Sequence, residues 1–238
     1  MKTIGIIGGM TWESSAAYYR IINQEVGRRL GGNYSAKLVM ASANFEEFDR
    51  WQRADDWGSV EAAVDDMAQC LVRAGADCVV IACNTQHEVA EGVARRLPVP
   101  LIHIADVTAE AIQKAGFRKV GLLGTRYTME RQFLRGRLRE RFGLEVILPG
   151  SEEQHYIHHA IYTEFSKGIF AEATRATFVK IIETLAAQGA EGVILGCTEI
   201  PLLVQAKHTD VPLFDTTTLH ALAAVDFSLA THKNLTAS

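Results

Sequence analysis

Short apolar runs alternate with longer amphipathic stretches along most of the 238 residues of this chain. Several of the short runs are apolar at every position, which is typical of parallel strands that are buried on both faces. The longer stretches repeat their apolar residues every three to four positions, which predicts helices. A repeated β-helix-β pattern of this kind predicts an α/β fold with mainly parallel sheets flanked by helices.

The pattern gives eight strands and eight helices. Strands are predicted at Thr3–Ile7, Lys37–Ala41, Cys78–Ala82, Leu101–Ile104, Lys119–Leu123, Glu145–Leu148, Gly192–Leu195 and Pro212–Phe214. Helices are predicted at Glu13–Arg29, Val60–Ala74, Glu88–Arg95, Val107–Ala115, Met129–Phe142, Glu152–Ser166, Ala171–Gln188 and Thr218–Leu229. Four glycines follow helices, where a left-handed residue is favoured: Gly75, Gly116, Gly143 and Gly189.

A weak internal repeat relates the two halves of the chain. Residues 4–9 match 120–125, residues 74–85 match 188–199, and residues 99–101 match 211–213, at offsets of 116, 114 and 112 positions. Because order and spacing hold across three blocks, we expect two similar lobes, related by a pseudo-twofold axis, with a cleft between them. We expect the first lobe at residues 1–100 plus 213–230, the second at 101–212, and a polar tail at 231–238.

Composition and charge exclude several classes of partner. The net charge is −4 with a pI of about 6.1, and there is no block of Lys and Arg residues, so neither nucleic acid nor an anionic membrane is an expected partner. No apolar stretch approaches the ~20 residues that span a bilayer, and the apolar start is too short for a signal peptide. We therefore expect a cytoplasmic protein with four reduced thiols, and their spacing does not predict a metal site.

Two of the four cysteines occupy matching positions in the repeat. Cys83 and Cys197 each lie at the end of a predicted strand, where open α/β sheets bind ligands. We expect each to open a helix, whose N-terminus favours a thiolate and binds carboxylates. A strand cysteine is more often a core residue, and we assign that role to Cys70 and Cys78.

Racemisation is a reaction that needs two such groups. The α-proton leaves one face of a carbon and a proton returns to the other face, which a lone base does not easily reach. A thiol has an ordinary pKa of about 8.5, so it can serve as acceptor or donor near neutral pH. Two lobes would place equivalent thiols on opposite sides of a shared cleft.

Four ordered segments resemble a known family. Residues 81–87 (IACNTQH) and 195–201 (LGCTEIP) resemble the two signatures of the aspartate/glutamate racemase family. Residues 8–15 (GGMTWESS) and 123–129 (LGTRYTM) are similar to two further segments of that family. Glutamate racemases usually have Cys-Thr-His in the second signature and Asp-Ser near the start, whereas this chain has Cys197-Thr198-Glu199 and Gly9-Met10. The aspartate-racemase branch, or a broad-specificity amino-acid racemase, is therefore a better match than a glutamate racemase.

The resemblance implies a cofactor-independent mechanism in which Cys83 and Cys197 are catalytic, with a small amino acid as substrate and a homodimer as assembly. Substrate contacts are implied for Met10, Gln52, Arg53, Asn84, Thr85, Thr125, Thr128, Lys167, Thr198 and Glu199. Which of Arg50, Gln52, Arg53 and Lys167 holds a side-chain carboxylate stays open. Helix capping is an alternative role for Asn84, Thr85 and Thr198.

Other functions remain as alternatives. A related isomerase or decarboxylase acting on a diacid would share the cleft, and so would a non-catalytic amino-acid binding protein. A dinucleotide cofactor is not expected, because the glycines of residues 5–9 do not follow the G-x-G-x-x-G spacing. The sequence leaves the preference among Asp, Glu and other amino acids open.

Overall fold

The predicted alternation of strands and helices is present in the computed structural model, which describes residues 1–230. The tail predicted at 231–238 lies outside the described residues. Two parallel sheets flanked by helices confirm the predicted α/β class. The chain divides into unit 1, formed by Met1–His103 and the residues from His220 onward, and unit 2, formed by Ile104–Leu219.

Unit 1 contains a parallel sheet with the strand order β2-β1-β3. Its elements are β1 (Ile4–Gly8), α1 (Trp12–Leu30), β2 (Leu38–Ser42), α2 (Phe45–Arg53), α3 (Trp57–Arg73), β3 (Cys78–Ile81), a 3-10 helix (Thr85–Glu88) and α4 (Ala90–Ala94). An isolated parallel bridge between Val79 and Leu101 extends the sheet.

Unit 2 contains a parallel sheet with the strand order β5-β4-β6-β7. Its elements are α5 (Ile104–Lys114), β4 (Lys119–Gly124), α6 (Arg126–Glu130), α7 (Gln132–Phe142), β5 (Glu145–Ile147), α8 (Ser151–Thr163), a 3-10 helix (Phe165–Lys167), α9 (Glu172–Ala187), β6 (Gly192–Gly196), α10 (Ile200–Leu203), a 3-10 helix (Ala206–His208) and β7 (Leu213–Asp215). Helix α11 (Thr216–Leu229) follows, and its residues from His220 belong to unit 1.

The strand pairing reproduces the internal repeat. In each unit the first strand pairs in parallel with the second on one side and, on the other, with the strand that precedes Cys83 or Cys197. The bridge between Val79 and Leu101 in unit 1 corresponds to the pairing of Val193 with Leu213 in unit 2. The repeat found in the sequence is therefore a repeat of sheet topology.

Alternate residues of the unit 1 strands enter two different apolar clusters. Ile4 and Ile6 of β1 pack with α1 and with residues of α11, whereas Ile7 packs with residues of α2 and α3. Both faces of the sheet are thus buried, as the uniformly apolar strands predicted. Unit 2 has an apolar cluster of its own that spans residues 104–214.

Several predictions differ from the structure. Leu101–Ile104 is not a strand: Leu101 forms the isolated bridge, and Ile104 begins α5. The region predicted as one helix at Glu88–Arg95 contains the end of a 3-10 helix followed by α4. The helix predicted at Met129–Phe142 is divided into the end of α6 and α7, because the backbone at Arg131 is extended.

The unit boundaries also differ from the expected lobes. Residues 213–219 were expected with the first lobe, but Leu213–Asp215 pairs with β6, so this segment lies in unit 2. Helix α2 was not predicted, because five of its nine residues are charged. The four helix-terminating glycines have the predicted positive φ: Gly75 (90°), Gly116 (81°), Gly143 (67°) and Gly189 (96°).

None of the helices within residues 1–230 combines the length and the apolar character that a bilayer-spanning segment needs. The four cysteines are thiols rather than disulfides. Cys78 is buried in the sheet as expected, but Cys70 is exposed, because α3 buries the face that carries Val64, Ala68 and Leu71.

Candidate active site

Met10 and Cys83 follow neighbouring strands of the unit 1 sheet. β1 and β3 are paired in parallel up to Ile7 and Ile81, and the Ala82 N–H donates to the Ile7 carbonyl at 2.8 Å. The carboxyl ends of both strands therefore leave the sheet at the same edge. Met10 is buried, while the Cys83 side chain is half-buried. This edge is where an open parallel sheet offers ligand-binding groups.

The turn after β1 is built around Gly9 and Ser15. The Ser15 hydroxyl accepts a hydrogen bond from the Gly9 N–H at 2.7 Å and donates to the Thr11 carbonyl at 3.2 Å. Gly9 has a φ of 90°, and a Cβ there would overlap the backbone of Ala43. A side chain at this position is excluded both by conformation and by space.

The Cys83 loop is held through three consecutive backbone carbonyls. The Ser14 hydroxyl donates to the Ala82 carbonyl at 2.6 Å. His87 makes the other two bonds, from Nδ1 to the Cys83 carbonyl at 2.8 Å and from its N–H to the Asn84 carbonyl at 3.0 Å. These bonds fix the backbone that carries the thiol.

Asn84 and Thr85 are buried beside this thiol. The 3-10 helix begins at Thr85, and the Asn84 side chain makes no capping hydrogen bond to it. The capping role considered for Asn84 is therefore wrong. Because this helix has four residues and α10 after Cys197 also has four, the helix dipole that we expected at each thiol is small.

Helix α2 places its three candidate residues differently. Gln52 is 3% exposed and lies on the buried face of the helix with Phe48, which packs in the same apolar cluster as Met10. Arg50 is exposed. Arg53 is also exposed and pairs with Asp49 at 2.7 Å, within its own helix.

In unit 2, Thr125 and Cys197 leave the sheet at one edge. β4 and β6 pair up to Gly124 and Gly196, and each candidate residue comes next. A Cβ on Gly196 would lie 2.8 Å from the Leu123 carbonyl, so glycine allows the two strands to approach. The Thr125 hydroxyl accepts from the Thr128 N–H at 3.2 Å and lies 3.1 Å from the Thr128 hydroxyl.

Cys197, Thr198 and Glu199 form a buried hydrogen-bonded group. The Cys197 thiol donates to Glu199 Oε2 at 2.9 Å, and the Thr198 hydroxyl donates to the same oxygen at 2.8 Å. The Glu199 side chain is 4% exposed and Cys197 is 7% exposed. The Thr198 hydroxyl thus binds a carboxylate rather than capping α10. The Cys197 thiol contacts an acidic side chain, whereas at Cys83 a histidine ring contacts the backbone carbonyl.

Lys167 lies apart from these contacts. It ends the 3-10 helix Phe165–Lys167 and is exposed. Within the described part of the chain, its ammonium group makes no hydrogen bond or ion pair with another candidate residue.

Ser14, Tyr18, His87 and His220 were not among the site residues predicted from the sequence. Ser14 and His87 lie inside residues 8–15 and 81–87, which resemble family segments, so their positions there were the available signal. Tyr18 and His220 are 202 positions apart, and their hydrogen bond had no local signal.

Comparisons with known proteins identify the family of this chain. Residues 7–224 match the family model described as Asp/Glu/Hydantoin racemase. The structure of a candidate Asp/Glu racemase from Yersinia pestis is 47% identical, covers 96% of this chain and 100% of its own, and superimposes with a TM-score of 0.90.

Two more distant relatives extend the comparison. An aspartate racemase homologue from Pyrococcus horikoshii OT3 is 37% identical, with 96% and 99% of the two chains covered and a TM-score of 0.82. The broad specificity amino-acid racemase RacX of Bacillus subtilis (strain 168) is 25% identical over 178 residues, which are 75% of this chain and 76% of the relative. The chain therefore belongs to the Asp/Glu/hydantoin racemase family and is an amino-acid racemase, an isomerase.

Proposed function

We propose that this racemase inverts the Cα of an acidic amino acid, aspartate or glutamate, with Cys83 and Cys197 as two exchanging acid/base groups and without an added cofactor. The carrying observation is the equivalence of the two thiols. Each follows the strand that pairs with the first strand of its unit, and each stands at the carboxyl edge of a parallel sheet. An accidental pair of core cysteines would not occupy matching, ligand-binding edges.

The chemistry balances with two thiols. A thiolate takes the Cα proton, and the electron pair of the C–H bond moves into the α-carboxylate. The second thiol then gives its proton to the opposite face of Cα. The first sulfur ends as a thiol and the second as a thiolate, so the enzyme is ready for the reverse reaction. The proposal requires both sulfurs to reach the same Cα.

The hydrogen bonds support a division of roles for one direction. Because a carboxylate oxygen accepts, the Cys197 sulfur carries its proton in the bond to Glu199. Cys197 is then the proton donor, and Cys83 is the acceptor. Thr198 donates to the same carboxylate oxygen, so Glu199 stays in place when the thiol gives up its proton.

Substrate contacts follow the two sheet edges. We assign the α-carboxylate and the amine to Asn84, Thr85 and Thr198, with Met10, Thr125, Thr128 and Glu199 completing the site. For the side-chain carboxylate we favour Gln52, because it is buried on the face of α2 that carries Phe48, whereas Arg53 is already paired with Asp49 and Lys167 is exposed. We further propose a cytoplasmic location, since the mechanism needs reduced thiols, and a homodimer, which the family resemblance implies.

The test is a panel of L- and D-amino acids incubated without added cofactor and analysed by chiral chromatography. In deuterium oxide, early product should carry deuterium at Cα while recovered substrate does not, because two different groups take and give the proton. Cys83→Ser and Cys197→Ala should nearly abolish turnover, whereas Cys70→Ser, which alters an exposed thiol on α3, serves as the matched control.

Three results would contradict the proposal. Normal turnover by Cys197→Ala would exclude the second thiol. Turnover of maleate without deuterium at Cα of aspartate would indicate a diacid isomerase. Calorimetric binding of L-aspartate with no loss of optical activity would indicate a binding protein.

A further inference from the structure

Three histidines pack together behind the Cys83 loop inside unit 1. The ring centroids of His87 and His103 are 4.8 Å apart, and those of His87 and His220 are 5.6 Å apart, both edge to face. Tyr18 contributes a fourth ring, 5.7 Å from His220. We call these four residues the histidine cluster. All four are buried, and His87 and His220 are almost inaccessible.

The hydrogen bonds fix where the ring protons lie. Carbonyl oxygens only accept, so His220 carries its proton on Nε2, which donates to the Ile102 carbonyl at 2.7 Å. Its Nδ1 is then the acceptor for the Tyr18 hydroxyl at 2.8 Å. His87 carries its proton on Nδ1, which donates to the Cys83 carbonyl at 2.8 Å. Neutral rings with opposite tautomers satisfy all of these bonds.

Through His87, the cluster joins three other segments of unit 1 to the backbone of Cys83. Tyr18 lies on α1, His220 on α11, and His103 at the point where the chain leaves unit 1. The corresponding position to His87 in the repeat of unit 2 is Pro201, which has no ring donor. The Cys197 carbonyl instead accepts from the Ile200 N–H at 3.2 Å. The two thiols therefore differ in what supports them.

We propose that His87, held by His103, His220 and Tyr18, is a positioning residue for the Cys83 half of the reaction. This inference rests on the proposed two-cysteine function. The ring donor sets the direction of the Cys83 carbonyl, and with the Ser14 hydroxyl on the preceding carbonyl it limits the rotation of the backbone that aims the thiol. Small misplacements of a reacting group have large effects on rate.

The charge state of the cluster agrees with this role. Burial first, and then the neighbouring imidazoles of His103 and His220, hold the pKa of His87 well below its ordinary range. Burial lowers the pKa of His220 to about 4. The groups facing His87 are these two imidazoles and the carbonyls of Cys83 and Asn84, and Tyr18 faces His220. His87 and His220 are therefore neutral at the pH at which thiols exchange protons.

The test compares two substitutions at His87 in a Cys70→Ser background. His87→Asn retains an N–H near the position of Nδ1, and His87→Leu fills the space without a donor. Iodoacetamide labelling, quantified for each thiol by peptide mass spectrometry, is combined with kcat and KM for both enantiomers. For His87→Leu we expect kcat to fall at least about tenfold with KM within about twofold. The Cys83 labelling rate should change at least about fivefold with Cys197 within about twofold, and His87→Asn should restore most of both.

Two results would overturn the inference: equal changes at both thiols, which indicate general loosening, or wild-type kcat and labelling in folded His87→Leu. If His87→Leu does not fold, Tyr18→Phe decides, because it removes the hydroxyl bonded to His220 and keeps the ring. It should shift Cys83 labelling selectively, and no selective shift would refute the cluster. Full turnover by Cys83→Ser would instead refute the proposed function, while the labelling comparison would still report on the cluster.

Discussion

Acid should destabilise unit 1 between pH 7.5 and pH 5 because it contains a buried neutral histidine. The perturbation is a change from pH 7.5 to pH 5. His220 has a pKa of about 4 in the folded chain because it is buried, against an ordinary value of 6.5. As the pH falls below 6.5, the unfolded chain takes up a proton that the folded chain does not, so stability is full above 6.5 and is lost progressively towards pH 4.

The magnitude follows from the two pKa values. Each pH unit between them is worth about 1.4 kcal/mol, so His220 alone removes about 2 kcal/mol from the unfolding free energy by pH 5. Burial also lowers the pKa of His87, so its contribution has the same sign and adds to this loss. Glu25, whose pKa is lowered to about 2 mainly by its hydrogen bond to Arg28, titrates below this pH range.

Urea unfolding followed by tryptophan fluorescence measures this loss selectively. All three tryptophans, Trp12, Trp51 and Trp57, lie in unit 1, so the signal reports that unit. The matched variant is His220→Gln, which keeps a donor for the Ile102 carbonyl and removes the titrating ring. It should be less stable at pH 7.5 by about 1 kcal/mol, and the further loss on acidification should shrink by about 2 kcal/mol. Equal unfolding free energies of the wild type at the two pH values, or an unchanged pH dependence in the variant, would refute the reasoning.

Three further predictions concern single residues. Gly9→Ala should lower the unfolding free energy by about 3 kcal/mol, because it combines a positive φ with overlap on Ala43. Gly31→Ala, where φ is 75° and the space is open, should lower it by about 1 kcal/mol. Thermal unfolding compares the two variants. Glu199→Gln should lower kcat/KM about tenfold to a hundredfold. The decrease should be equal for both enantiomers, because racemisation has an equilibrium constant of one. Polarimetry measures kcat/KM, and an unchanged value would remove Glu199 from the mechanism. Arg53→Gln should change KM for aspartate less than about twofold, because the guanidinium is exposed and already paired with Asp49. Gln52→Ala should raise KM about tenfold, because the buried amide is lost. Initial rates over a substrate series measure both KM values, and a larger effect of Arg53→Gln would assign the side-chain carboxylate to Arg53.

The topology was predictable because both units obey a local rule. Apolar strands buried on both faces and glycines after helices can be recognised from neighbouring residues, and the matched blocks around Cys83 and Cys197 predicted two similar lobes; the strand orders come from the structure. The same local rule wrongly predicted a strand at Leu101–Ile104. This segment is apolar like a strand, but it pairs through one residue, and the backbone turns into α5 at Ile104.

The groups that support the thiols were beyond local reasoning. The bond between His220 and the Ile102 carbonyl joins residues 118 positions apart, and such a contact depends on how the whole of unit 1 packs. The sequence also left undecided which of Arg53 and Gln52 faces inward. The structure separates them, because α2 turns Phe48 and Gln52 inward and pairs Arg53 with its own acidic neighbours.

The interrupted course of unit 1 has a consequence for folding. Residues 104–219 form unit 2 from a continuous stretch, so its contacts can form as soon as that stretch has left the ribosome. Unit 1 can be completed only after α11 has been synthesised, because Ala221, Ala224 and Val225 of α11 cover the sheet face that carries Ile4 and Ile6. Closing so long a loop carries an entropic cost and slows the pairing of distant segments. During synthesis, the Cys83 loop therefore acquires its final support later than the Cys197 loop.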